Sequence, residues 1–325
     1  MAKMTMVEAL NLALRQEMQK DDSVILLGQD IGPDGGVFRV TDGLFAEFGG
    51  ERVVDTPLAE SSIIGMSIGM AMYGLRPVCE IQFSGFAYQG FHQLENHAAR
   101  MRWRSQGRLT VPMVMRAPYG GGVRALEHHS ESREAYWAHT PGLKVVIPSG
   151  PRNARALLVS AIRDPDPVIF YEAKALYRAF REEVPEAEET LPIGRANIVR
   201  PGKALTMISY GAMLRPTLEA AEELHKDGVE AEVIDLLTLS PLDSDLLVAS
   251  VTKTGRAVIV HEAPQSFGAG AEIATRLMEG AFYFLEAPIE RVTGFDLIIP
   301  YFSREKSYLP GVQRILAAAR RTLVG

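Results

Sequence analysis

One cysteine in 325 residues excludes an internal disulfide framework and a thiolate metal cluster. That residue, Cys79, stands in the apolar run Pro77-Val-Cys-Glu-Ile81 and reads as a small core side chain. An excess of positive charge is also lacking. The 34 Lys and Arg against 40 Asp and Glu leave a net charge of −6, which removes the electrostatic case for a nucleic-acid partner. No apolar run approaches the ~20 residues of a membrane span. The N-terminus enters a helical pattern with no secretory core, so a cytoplasmic chain with no membrane partner is expected. His128 and His129 are adjacent instead of four apart and no His-Glu-x-x-His occurs, so zinc is not expected either.

What is present is the composition of a globular protein, 47% hydrophobic and 23% charged, at a length that suggests two domains. Thr5-x-x-Glu8 is a capping box, followed by Met6, Leu10, Ala13, Leu14 and Met18 at helical spacing. Strands are expected at 24–27, 76–83, 111–116, 144–147 and 168–171, with helices at 93–104 and 153–162. The acidic stretch Glu182-Glu-Val-Pro-Glu-Ala-Glu-Glu189 lacks periodicity and reads as a surface linker. Beyond it strands recur near 205–209, 231–234, 257–260 and 291–293, alternating with helices. The predicted class is α/β: two domains, 1–190 and 191–325, each a mostly parallel sheet flanked by helices.

Several stretches carry candidate chemistry. In Asp55-Thr-Pro-Leu-Ala-Glu60-Ser-Ser-Ile-Ile-Gly65-Met-Ser-Ile-Gly69 a single carboxylate, Glu60, opens an almost wholly apolar helix. Such a group is either turned to water or functional, because burying it unpaired is costly. His129 follows a glycine-rich loop after a strand. It is either a solvated loop histidine or a group for proton transfer or oxyanion contact. Gly65 and Gly69 permit close backbone approach, within the chain or across a subunit interface. Phe83, Phe86, Tyr88 and Phe91 are core or interface aromatics, one of which could face a heterocycle. Gly268-Ala-Gly270-Ala-Glu-Ile273 invites a nicotinamide-dependent dehydrogenase reading. Its third position is Ile, however, and about seven residues separate it from the preceding strand, unlike a dinucleotide fingerprint.

Taken in order, these pieces resemble the β subunit of the E1 component of 2-oxo acid dehydrogenase complexes. The resemblance is carried by Gly35-Gly-Val-Phe-Arg-Val-Thr, Asp55-Thr-Pro-Leu-Ala-Glu60, Gly74-Leu-Arg-Pro, Glu80-Ile-Gln-Phe and Gly120-Gly-Gly-Val. It continues through His129-Ser, Pro141-Gly-Leu-Lys-Val-Val, Leu176-Tyr-Arg, Leu191-Pro-Ile-Gly and Arg291-Val-Thr-Gly-Phe-Asp. It implies a transketolase-like, thiamin diphosphate-dependent enzyme with a pyrimidine-binding domain and a transketolase C-terminal-type domain. Carried onto matching positions, Glu60 would hydrogen-bond the pyrimidine nitrogen and Phe86 would stack on the ring. Gln82 and Leu58 would line that half-site, and His129 would orient the bound 2-oxo acid and meet the lipoyl arm.

The chain has no Gly-Asp-Gly, the motif that holds diphosphate and Mg²⁺ in such enzymes. The resemblance therefore implies that an E1 α subunit supplies it in an α₂β₂ heterotetramer, and that E2 lipoyl and subunit-binding domains are further partners. It also implies a K⁺ held mainly by backbone at Ala161, Ile162, Asp164 and Asp166, although Asp166 stands where relatives commonly have Asn. Gln29 and Gln89 replace acids that relay protons in some relatives, which puts such a relay in doubt here and leaves Asp30 as a substitute. For substrate, Phe86 leans toward pyruvate, while His261-Glu-Ala-Pro and Leu285-Glu-Ala-Pro lean toward branched-chain 2-oxo acids. Acetoin dehydrogenase shares the same subunit plan.

Overall fold

A computed structural model describes residues 2–324. The chain divides into two compact units. The first runs to Tyr119 and resumes over Tyr136–Ile193; the second comprises Gly120–Ala135 and the chain from Gly194 onward. The stretch 120–135, which the sequence reading placed inside the first domain, thus groups with the second.

In the first unit α1 (Met6–Lys20) opens with the expected capping box: Thr5 N donates to Glu8 Oε2 at 2.7 Å and Glu8 N to Thr5 Oγ1 at 3.4 Å. Its apolar stripe is buried and packs on α3 (Pro151–Arg163). Strands β1 (Val24–Gly28), β2 (Val53–Asp55), β3 (Arg76–Glu80), β4 (Val114–Tyr119), β5 (Lys144–Val146) and β6 (Val168–Ala173) are mutually parallel, in the order β5-β6-β4-β3-β1-β2. β1, β3, β4 and β6 are buried almost throughout, as suits strands covered on both faces. Between β2 and β3 lies α2 (Glu60–Met72), which buries Ile63, Ile64, Ser67, Ile68 and Ala71.

Two local expectations change. The helix over 93–104 is broken into a π-helical turn, Gln93–Ala98, and a short helix, Met101–Arg104. The Arg104 side chain donates to the Asn96 carbonyl at 2.5 Å, satisfying an acceptor at the break. The acidic stretch 182–189 is no free linker. Glu182–Val184 pairs antiparallel with Ala2–Met4, Glu188 is ion-paired to Lys20 and Arg163, and Glu189 to Arg152. The basic residues of α1 and α3 recruit these acids.

The second unit has a five-stranded sheet of β7 (Asn197–Arg200), β8 (Leu205–Ser209), β9 (Ala231–Asp235), β10 (Ala257–Pro264) and β11 (Glu290–Gly294), in the order β11-β10-β8-β9-β7. All neighbours are parallel except the edge strand β7. Helices α4 (Leu214–Lys226), α5 (Ser244–Thr254), α6 (Ala269–Ala281) and α7 (Val312–Val324) pack as the pairs α4–α7 and α5–α6. Among the described residues no helix is long and apolar enough to cross a membrane.

At the end of β10 the fully buried His261 lies under the start of α6. A Cβ on Gly270 would sit 2.6 Å from its Nε2, and the Tyr210 ring stacks over it at 6.2 Å. Burial pushes this imidazole down to about 4 from the usual 6.5. Below 6.5 the unfolded chain therefore takes up a proton that the folded chain refuses until about 4. We expect the second unit to keep its full stability above pH 6.5 and to lose on the order of 3 kcal/mol as pH falls through that window. Urea midpoints of the parent chain and His261→Gln at pH 7.5 and pH 5 check this; an equal pH dependence in both would refute it.

Candidate functional site

Register organises one end of the first sheet. Gly28 pairs with both Asp55 and Glu80, and Glu80 pairs with Arg116, so β1, β2 and β3 reach their carboxyl ends at one level, beside Arg116 in β4. The residues just beyond are the candidates: Asp30 after β1, Leu58 and Glu60 after β2, Gln82 and Phe86 after β3. Loops at the carboxyl edge of a parallel sheet are the usual ligand sites of α/β proteins.

Glu60 is the first residue of α2. The preceding Ala59 is non-helical and offers no side-chain cap, so the half-buried carboxylate stands among free N–H groups at the positive end of the helix. Phe86 lies in a 3₁₀ stretch, Ser84–Gly90, that packs on the same helix. Gly90 is required there, since a Cβ would lie 2.2 Å from Ile64 Cδ1. The half-buried Phe86 ring meets Phe83 edge-on at 5.6 Å, and Phe83 meets Phe38 likewise at 5.6 Å. Lys174 Nζ sits 5.8 Å over the Phe83 ring. Gln82 Nε2 donates to Asp30 Oδ2 at 2.7 Å, which fixes the amide and engages the Asp30 carboxylate. Leu58 is 69% exposed at the rim. Gln29 is half-buried and Gln89 exposed.

Beneath this edge is a group of residues that the sequence reading did not single out. Arg116, only 2% exposed, donates from Nε and Nη2 to the two Glu172 carboxylate oxygens at 2.7 and 2.8 Å, and from Nη1 to Glu80 Oε2 at 2.8 Å. Tyr177 Oη donates to Glu172 Oε2 at 2.6 Å. One guanidinium thus faces two buried carboxylates. Burial pushes Glu80 above the usual carboxylate range, Arg116 pulls it back, and Glu172 adds to the rise. Glu172 and Glu80 hold Arg116 firmly charged against its own burial. The sequence signal was available: single charges inside otherwise apolar strand runs, which are buried only when paired.

His129 belongs to the second unit. It is half-buried, with the exposed His128 ring edge-on at 6.1 Å. The structure therefore gathers Glu60, Leu58, Gln82 and Phe86 on one sheet edge and carries His129 on a separate body. At the carboxyl ends of β10 and β11 the second unit also has a cavity of about 420 Å³, lined in part by Ser130, Glu131, Arg133, Glu262, Asp296 and Tyr308.

The positions named for K⁺ are met by the protein's own cations. Arg76 donates to the Ile162 carbonyl at 2.8 Å, and Lys144 Nζ lies 2.7 Å from both Asp164 oxygens. Arg102 donates to Asp166 at 2.6 Å, and the Ala161 carbonyl accepts from Asp164 N at 3.3 Å. The Ile162 carbonyl and the Asp164 and Asp166 side chains are thus engaged by Arg76, Lys144 and Arg102. Among the described residues no cluster of three or more His, Cys, Asp or Glu is arranged for a metal. The Gly268–Gly270 stretch is accounted for by close packing on His261.

Comparison with known proteins decides the family. Residues 2–179 match the transketolase pyrimidine-binding domain and residues 194–315 the transketolase C-terminal domain. The pyruvate dehydrogenase E1 component subunit beta of Staphylococcus epidermidis is 52% identical over 323 residues, covering 99% of each chain. The chain belongs to the E1 β-subunit family. The Staphylococcus aureus protein of the same name is 51% identical over the same length. A split gene transketolase, solved as an inactive β4 tetramer, superposes with a TM-score of 0.80 over 99% of both chains at 24% identity, a likeness of fold alone. In this E1 β chain the matched pyrimidine-binding segment contains the whole edge that bears Glu60, Gln82 and Phe86.

Replacing Arg116 by Ala would leave Glu80 and Glu172 buried without their counter-charge, at a cost of about 3–5 kcal/mol. Chemical denaturation of the full chain measures it; a loss below about 1 kcal/mol would show that the cluster does not hold the sheet edge.

Proposed function

We propose that this E1 β chain supplies the pyrimidine half-site of a thiamin diphosphate-dependent pyruvate dehydrogenase, and that it acts only with an α subunit. The observation that carries the reading is Glu60 opening α2 while the Phe86 segment packs on that same helix through Gly90 and Ile64. A carboxyl and an aromatic face are thereby tied to one rigid element, which suits a flat heterocycle that needs one hydrogen bond and one stacking surface. The relatives at 51–52% identity are named for pyruvate dehydrogenase, which favours pyruvate over a branched-chain 2-oxo acid.

When bound, thiamin diphosphate supplies the electron sink for decarboxylation. This chain's residues bind and orient. Glu60 would hold a proton between its carboxyl and the pyrimidine nitrogen, and Phe86 would fix the ring plane. Gln82, its amide nitrogen anchored on Asp30, would present its oxygen, and Leu58 would close the apolar rim. His129 would orient the carboxylate or carbonyl of the 2-oxo acid and receive the lipoyl group of E2 for acyl transfer. With no Gly-Asp-Gly in the chain, the diphosphate and its Mg²⁺ fall to the α subunit.

The outer face of α2 supports an assembly. A Cβ on Gly69 would meet nothing within 4 Å and one on Gly65 only Gln93 at 3.8 Å, while Met66, Met72 and Tyr73 are exposed beside them. These glycines are not explained by packing within the chain, and an α subunit approaching that face would explain them.

Co-expression with the Gly-Asp-Gly-bearing partner tests the chemistry. Glu60→Gln is expected to lower pyruvate-dependent ferricyanide reduction by at least ~100-fold; unchanged turnover would remove Glu60 from the mechanism. His129→Ala is expected to lower acyl transfer to lipoamide severely, to a residual measurable rate, with thiamin diphosphate still bound, whereas loss of cofactor binding would contradict the role assigned to it. For the assembly, Gly69→Leu should leave the isolated chain as stable or about 0.5–1 kcal/mol more so, from helix propensity, yet prevent co-purification of the partner. Retention of the partner would move the interface elsewhere.

A further inference from the structure

The segment that carries His129 is fastened to the second unit at both of its ends. At its start Gly121 N donates to Glu262 Oε2 at 2.8 Å and Gly122 N to Glu305 Oε1 at 2.5 Å. At its end the Tyr210 hydroxyl donates to Glu134 Oε1 at 2.6 Å. All three carboxylates are buried, and so is Tyr210, so these are charge-assisted or low-dielectric bonds that water does not compete for. The fit is close. Gly120 has a φ of +82°, and a Cβ there would lie 2.5 Å from Glu262 Oε1. A Cβ on Gly121 would lie 2.9 Å from Ile299 Cδ1.

The anchoring residues come from a telling place. Tyr210 follows β8 and Glu262 lies near the end of β10, and these neighbouring strands flank the point where strand order reverses, with β9 on the far side of β8. In open α/β sheets that crevice normally takes a ligand. Here the two flanking strands present their polar groups to the chain's own loop.

The geometry points to Glu262, Glu305 and the Tyr210–Glu134 pair as positioning residues for His129, clamping both ends of its loop so that the imidazole between them is held in one place. This rests on the reading that His129 faces the substrate and the lipoyl group. On that reading the second unit contributes to the reaction through the loop it holds.

The test uses the full chain for one measurement and the complex with its partner for the others, with Tyr210→Phe and Glu305→Gln as separate variants in case either fails to fold. Hydrogen exchange of the 120–135 segment should speed up at least tenfold in each variant. Acyl transfer to lipoamide should fall about tenfold, while thiamin diphosphate binding changes less than twofold. Each variant placed on a His129→Ala background should add no further loss. Unchanged exchange, unchanged acyl transfer beside faster exchange, or losses that multiply with His129→Ala would each overturn the clamp. If His129→Ala itself leaves acyl transfer intact, the role given to His129 falls and the clamp's purpose with it. An impaired His129→Ala beside silent clamp variants overturns the clamp alone.

Discussion

The buried guanidinium of Arg116 makes the interaction on which the carboxyl edge of the first unit's sheet depends. It lies in the middle of a parallel sheet, bidentate to Glu172 on one neighbouring strand and bonded to Glu80 on the other. Taking three charges out of water is costly, and their mutual attraction repays it only in good geometry. Register provides that geometry, since Glu80 and Arg116 are directly paired and Glu172 lies two residues past the partner of Arg116 on the same face. The strands therefore cannot slip without stranding a charge. The loops that leave β1, β2 and β3 inherit a fixed level from which Asp30, Glu60, Gln82 and Phe86 project.

That constraint extends outward by packing. Tyr177, bonded to Glu172, touches Phe38 at 5.1 Å; Phe38 meets Phe83, and Phe83 meets Phe86. A chain of rings thus links the ion cluster to the aromatic face proposed for the cofactor. Glu60 is supported separately, by the apolar inner face of α2 and by the close approach of Gly90. Two independent supports converge on one site, which is how a binding constellation keeps its geometry against thermal motion.

The second unit solves a different problem with similar means. Its crevice at the strand reversal faces buried polar groups, and the loop 120–135 answers them with backbone amides and Glu134. Buried carboxylates need donors, and a glycine-rich segment can bring its N–H groups close enough to supply them. The same segment bears His129. The hydrogen-bond demands that the loop satisfies explain why 120–135 departs from its neighbours in sequence and groups with the second unit.

Much was legible without coordinates. The capping box at Thr5 and Glu8, the alternation of strands and helices and the carboxylate at the start of an apolar helix are local patterns, and period and capping chemistry report them directly. The E1 β resemblance was legible for the same reason, because its segments are contiguous and in order. Only tertiary structure decided the rest. The pairing of Glu80, Arg116 and Glu172 joins residues far apart in the chain through strand register. The acids of 182–189, read as a solvated linker, became ion partners because Lys20, Arg152 and Arg163 on two packed helices face them. The grouping of 120–135 with the second unit follows from contacts with Glu262, Glu305 and Tyr210, all remote in sequence. Local propensity speaks for neighbours along the chain; which charges meet, and which body a loop joins, is settled by burial and by the partners it brings within reach.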